Sequence, residues 1–212
     1  MSFRLPAAFL VAAALVLPMS QGASAAGGNY TISGGTPAEQ ATVRAALDAS
    51  SFPWSVLPQT IQVTIQPGAG DTATPGSVSI DPQLLDMGTF SWAFVQHEFA
   101  HQIDFLILSD SQRAQLAQAI GGVEWFPSDG ALPHAAYSCE RFASLVAWAY
   151  WPSAENALRP RSAADEAGGM QAPAFRALLS GMLNVSAAAT AAPAQPVRNF
   201  TPELPLMQSS AA

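Results

Sequence analysis

The chain has 212 residues, half of them hydrophobic and only 11% charged, with 15 acidic residues against 8 basic ones and three histidines. That balance excludes a basic nucleic-acid surface and a polybasic patch for anionic membranes. The length suits one domain with a sizeable core. A single cysteine, Cys139, excludes an internal disulfide and a cysteine-built structural zinc site.

The N-terminus reads as an export signal. Met1-Ser2-Phe3-Arg4 gives a positive start, Ala7 to Leu17 an apolar run ended by Pro18, and Ala23-Ser24-Ala25 fits the small-residue cleavage rule. The run is too short for an ordinary transmembrane helix. Residues 1–25 are therefore expected to be a cleaved secretory signal. A secreted, extracellular monomer would remain, with no stable membrane insertion, seven arginines, no lysine and a formal charge of −8. The destination is oxidising, so Cys139 is either a reactive thiol or, as its residue type favours, a small buried apolar group.

Gly27 to Gly35 is a glycine-rich lead-in. Thr36-Pro37-x-Glu39 supplies an N-cap, a first-turn proline and a capping-box acid, opening a helix to about Ser50. Thr60 to Ile65 alternates polar and apolar residues, the period of a half-buried strand. Pro67 to Pro75 reads as a turn-rich loop, and Ser77 to Ile80 as a second short strand closed by Asp81-Pro82. About Phe90 to Leu108 predicts a long apolar helix, and Ser109 or Asp110 caps another that ends at Gly121-Gly122. Val123 to Pro133 is loop. Further helices are predicted from about Ala135 to Trp151 and from about Pro173 to Leu183. Beyond Ser186 the Ala, Pro, Gln and Ser run lacks periodic apolar residues and reads as a disordered tail. The organisation is signal 1–25, domain 26–185 and tail 186–212, in the α+β class.

His97-Glu98-Phe99-Ala100-His101 on the long helix spells H-E-x-x-H. Two histidines four apart share a helix face, so both imidazoles can reach one metal, and Glu98, rotated by about 100°, stands beside that metal without ligating it. A shuffled chain of this composition would contain the pattern roughly once in 700 tries, so accident is a poor account. The extended form of the motif is excluded, because Asp104 and Ile107 stand where it needs glycine and histidine.

A catalytic zinc site takes three protein ligands and leaves one position for water. Glu140 heads the candidates for the third. It opens the apolar segment Glu140 to Trp151, and a carboxylate at the head of a buried helix needs a strong partner. The competing reading pairs it with Arg141 or with the helix N-terminus. Asp104, about 4.5 Å along the axis from His101, suits either a hydrogen bond behind a ligating histidine or a pairing with an arginine. His134 and Asp129, in the loop before Glu140, either approach the metal or substrate or are solvated. Trp54, Trp92, Trp125, Phe126 and Trp151 either line an apolar subsite or, as large aromatics more often do, fill the core.

H-E-F-A-H-Q-I-D followed by E-R-F-A resembles the gluzincin group of zinc metallopeptidases, and within it the compact lethal-factor-like branch, over roughly residues 76 to 151. The resemblance implies a zincin-like fold, a small mixed or antiparallel sheet packed on the active-site helix with a mostly helical C-terminal part. It also implies Zn2+ held by His97, His101 and Glu140, with Glu98 as general base. The branch has glycine where Ala100 stands and a second acid where Ser144 stands, so the outer job of that acid is expected to be unfilled. Its oxyanion-steadying tyrosine finds its nearest match in Tyr137, and its substrate-pairing edge strand would correspond to Gly76–Ile80. The expected activity is zinc-dependent hydrolysis of peptide or protein substrates, Glu98 taking the proton of the attacking water and returning it to the leaving amine. The alternative is a non-catalytic zinc-binding protein on the same scaffold, serving as a binding or regulatory module.

Overall fold

A computed structural model describes residues 28–127 and 132–183. The signal (1–25), Asp129 and the tail (186–212) lie outside the described residues. Four strands, β1 (Tyr30–Gly34), β2 (Ile61–Ile65), β3 (Thr72–Thr74) and β4 (Ser77–Ile80), form one mixed sheet in the order β1-β2-β4-β3. β1, β2 and β4 run parallel, and β3 is antiparallel to β4. Among the described residues there are six α-helices in chain order: α1 (Pro37–Ala49), α2 (Pro82–Leu85), α3 (Trp92–Leu106), α4 (Asp110–Ile120), α5 (Ser138–Tyr150) and α6 (Ala172–Leu183). The chain is thus mixed α and β, with a small mixed sheet and a mostly helical C-terminal part.

The local signals act as their chemistry requires. Thr36 and Glu39 close a reciprocal capping box at the start of α1, and Ser109 with Gln112 does the same for α4. Gly121, at φ 82°, ends α4 in the left-handed region that favours glycine. Two strands depart from the sequence reading. Tyr30–Gly34 is a paired strand, with Tyr30 buried against Phe99, where only a lead-in was expected. Thr72–Thr74 lies inside the expected loop because Pro75-Gly76, with Gly76 at φ 81°, folds it back onto β4. That hairpin moves the sheet edge. Gly76–Ile80, expected as the edge strand, is interior between β2 and β3, and Thr72–Thr74 is the edge.

α3 is the axis of the molecule. Ala93 and every residue from Val95 to Asp104 are buried, so one face meets α1 and the sheet while the other meets α5. Its polar residues anchor neighbours. Gln96 donates to the Ala46 carbonyl of α1 at 2.7 Å. Gln102 accepts from Gly76 N–H at 2.7 Å and donates to the Thr74 and Ser77 carbonyls at 3.0 and 3.2 Å. One side chain thus ties the β3–β4 turn to the helix that carries the two histidines.

Candidate metal centre

α3 and α5 pack along their length, and the site forms where His97 and His101 face the first turn of α5. The start of α5 is held by main chain: Ser138 and Cys139 N–H groups donate to the Glu124 and Trp125 carbonyls at 2.8 and 3.1 Å. Arg141 turns away from Glu140. Its guanidinium donates to the carbonyls of Ile120, Ala135, Ala163 and Ala164. The Arg141–Glu140 pairing open in the sequence is therefore absent, and Glu140 is free to face the histidines.

Three atoms converge. Glu140 Oε2 stands 3.0 Å from His97 Nε2 and 3.4 Å from His101 Nε2, and the two Nε2 atoms are 3.2 Å apart. His97, His101 and Glu140 thus form a largely buried group able to hold a metal ion. The donor set also fits zinc in size: four-coordinate zinc at about 2.0–2.1 Å from its ligands separates neighbouring donors by about 3.3–3.4 Å. Burial acts to raise the Glu140 pKa, but hydrogen bonds and charge from His101 and His97 outweigh it and hold the carboxyl well below its usual range. Burial acts to lower the His101 pKa, and Glu140, Glu98 and Asp104 together raise it.

Beside this triad lies a pocket of about 320 Å³ whose walls include Glu98, His101, Phe105, Phe126, His134 and Glu140. Burial pushes the Glu98 carboxyl upward, helped by Glu140 and Asp71 and opposed by the two histidines. The edge strand supplies Thr72 and Ala73, with Asp71 just before it. His101, Phe105 and Phe126 stack in series, with ring centroids 5.9 and 6.3 Å apart.

Comparison with known proteins gives no further guide: no family model matches the chain, and neither do curated proteins or solved structures.

Of the remaining candidates, His134 reaches the site and Tyr137 does not. His134 Nε2 is 3.1 Å from Glu140 Oε2, and its ring stacks on His97 at 6.2 Å. Tyr137 is buried, its hydroxyl accepts from Leu132 N–H at 3.1 Å, and it is not among the pocket residues. The expected tyrosine role thus has no geometric support, and the imidazole three residues earlier stands in that space. Asp104 takes the arginine reading: it accepts from Arg113 Nε at 2.7 Å and from Trp125 Nε1 at 3.0 Å. Trp54 is core, Trp92 packs on Trp151, and of the five aromatics only Phe126 lines the pocket. Cys139 is buried at the pocket wall, its thiol pushed well above the ordinary range by burial and by Glu140, which matches the small buried group rather than a reactive thiol.

The outer position expected to be vacant is filled. Ser144 Oγ lies 3.0 Å from His97 Nδ1 and donates to Glu166 Oε2 at 2.8 Å, so a carboxylate distant in sequence stands behind the first histidine. Sequence offered no signal for Glu166, because the segment between α5 and α6 has no periodicity to fix its orientation.

Proposed function

We propose that the protein is a secreted zinc metallopeptidase, with His97, His101 and Glu140 as ligands and Glu98 as general base. The observation that carries this is the triangle of 3.0, 3.2 and 3.4 Å between three donor atoms, with a second, unligated carboxylate beside it in an open pocket. Zinc bound there would lower the pKa of a bound water toward about 7 and polarise a carbonyl oxygen. Glu98 takes the proton of the attacking water and delivers it to the leaving amine. A carboxylate placed beside the attacking water can serve as base and then acid. His134 faces the same space and is suited to steady the developing oxyanion. The exposed edge of Thr72–Thr74 offers backbone groups for an extended peptide, and Gln102 keeps that edge in register with the site.

The test is Glu98→Gln. Zinc content should stay at one per chain while cleavage of a mixed peptide library falls by about 10²–10⁴-fold; undiminished cleavage would refute the role. The second reading, a non-catalytic zinc protein, draws on the 3.1 Å approach of His134 to Glu140, since a fourth protein ligand would close the site to water. In that case His134→Ala would lose zinc as completely as His97→Ala does.

A further inference from the structure

Glu166 belongs to neither metal-binding helix. It starts a single helical turn, Glu166–Gly168, in the segment between α5 and α6. Yet its two oxygens serve two imidazoles of the site. Oε2 accepts from Ser144 Oγ at 2.8 Å, and that hydroxyl lies 3.0 Å from His97 Nδ1. Oε1 lies 2.7 Å from His134 Nδ1. On the far side of both rings, the Nε2 atoms stand 3.0 and 3.1 Å from the same Glu140 oxygen. The contacts close a loop through Glu140, His97, Ser144, Glu166 and His134.

We propose that Glu166 is a positioning residue that orients two histidines at once, His97 through Ser144 and His134 directly. The inference rests on the metallopeptidase reading and deepens it. The proton count gives the direction. An ionised carboxylate only accepts, so the single Ser144 proton points at Glu166. Ser144 Oγ is then left to accept from His97 Nδ1–H, which places the lone pair of His97 on Nε2, the atom that faces Glu140 and His101. Outer hydrogen bonds of this kind fix both the tautomer and the ring angle of a ligating histidine. His134 is the other case. Its side chain is 63% exposed, so packing alone leaves the ring free to swing, and the 2.7 Å contact with Glu166 turns Nε2 toward the pocket.

Glu166 is itself firmly placed. Arg141 Nη2 donates to the Ala163 carbonyl at 3.0 Å, and the Asp165 carboxylate accepts from the Arg161 and Ser162 N–H groups at 2.6 and 2.9 Å. The acid that the sequence lacks at position 144 is thus delivered from 22 residues further along, with the serine hydroxyl as a relay.

The experiment uses the full mature chain and two independent readouts: zinc affinity by competition with a chromophoric chelator, and kcat and KM on a cleaved peptide. Ser144→Ala and Glu166→Ala should each weaken zinc binding about 10–100-fold. The double variant should lie within about threefold of the weaker single, because both act on one arm. Glu166→Gln, which can still accept from Ser144, should recover most of the affinity. Glu166→Ala should also lower kcat as far as His134→Ala does, with KM little changed, whereas Ser144→Ala should lower it less. Zinc affinity of Ser144→Ala and Glu166→Ala both within about threefold of wild type would overturn the proposal, as would losses that multiply fully in the double variant. Ser144→Ala removes only the hydroxyl between Glu166 and His97 and keeps the Glu166 side chain, so it decides the His97 arm even if Glu166→Ala does not fold. Wild type that binds no zinc would sink the metallopeptidase reading as well; zinc-loaded wild type with an indifferent Glu166 removes this proposal alone.

Discussion

Asp104 and Glu140 are two carboxylates within reach of the same histidine helix, and they meet opposite surroundings. Asp104 is fully buried, its carboxylate held by two donors, Arg113 Nε and Trp125 Nε1, while Arg113 Nη2 donates to its backbone carbonyl at 2.6 Å. Burial still pushes its carboxyl upward against those donors, while the pairing raises Arg113. Glu140 is less enclosed, opens on a pocket, and is ringed by imidazole nitrogens whose lone pairs can serve a metal. A buried carboxylate held by an arginine and an indole is a structural fastener. One that shares a point with imidazole nitrogens can hold a metal ion there.

The largest effect that sharpens this contrast is loss of the metal. Glu140→Ala should weaken zinc affinity by more than about 100-fold, beyond the range for outer partners, with little change in melting temperature of the metal-free protein; elemental analysis after dialysis checks it. Asp104→Ala should do the reverse. Breaking a buried pair costs about 3 kcal/mol here, the low end of its range because Arg113 still reaches Asp110 at 2.8 Å. Thermal melts should drop on the order of 10 °C while zinc stoichiometry stays at one. Equal zinc loss in both variants would erase the distinction.

The smallest effect concerns Asp165, which fixes the segment carrying Glu166. Backbone hydrogen bonds from Arg161 and Ser162 hold its carboxyl below the ordinary value. The folded pKa is depressed, so the stabilisation is present above the ordinary aspartate pKa and is lost as pH falls through the lowered one. Asp165→Asn should therefore melt slightly below wild type near neutral pH, and the gap should close under acid conditions. A gap that widens in acid would show the sign to be wrong.

The legible parts of the fold were those governed by short-range rules. The capping box at Thr36, the cap at Ser109, the Gly121 stop and the alternation of Ile61–Ile65 each depend on neighbours within a few residues, and each forms as its chemistry requires. β3 was hidden because three residues of Thr-Ala-Thr between Asp71 and Pro75 carry no periodic signal, and pairing with β4 alone makes them a strand. The same holds at the site. His97, Glu98 and His101 could be read from one helical turn, and Glu140 from the cost of burying a carboxylate at a helix head. Glu166 and the approach of His134 to Glu140 could not, because each depends on how a segment without periodicity packs near the start of α5.

The sequence by itself determined the two-histidine face, the acid beside it and the helices that carry them, since all of these follow from spacing along one turn or one cap. The tertiary structure alone decided which strand forms the sheet edge, that Asp104 is occupied by Arg113, and that a glutamate 22 residues beyond Ser144 backs both His97 and His134. The physical reason is that hydrogen bonds between distant segments depend on direction and distance in space, which no local period encodes.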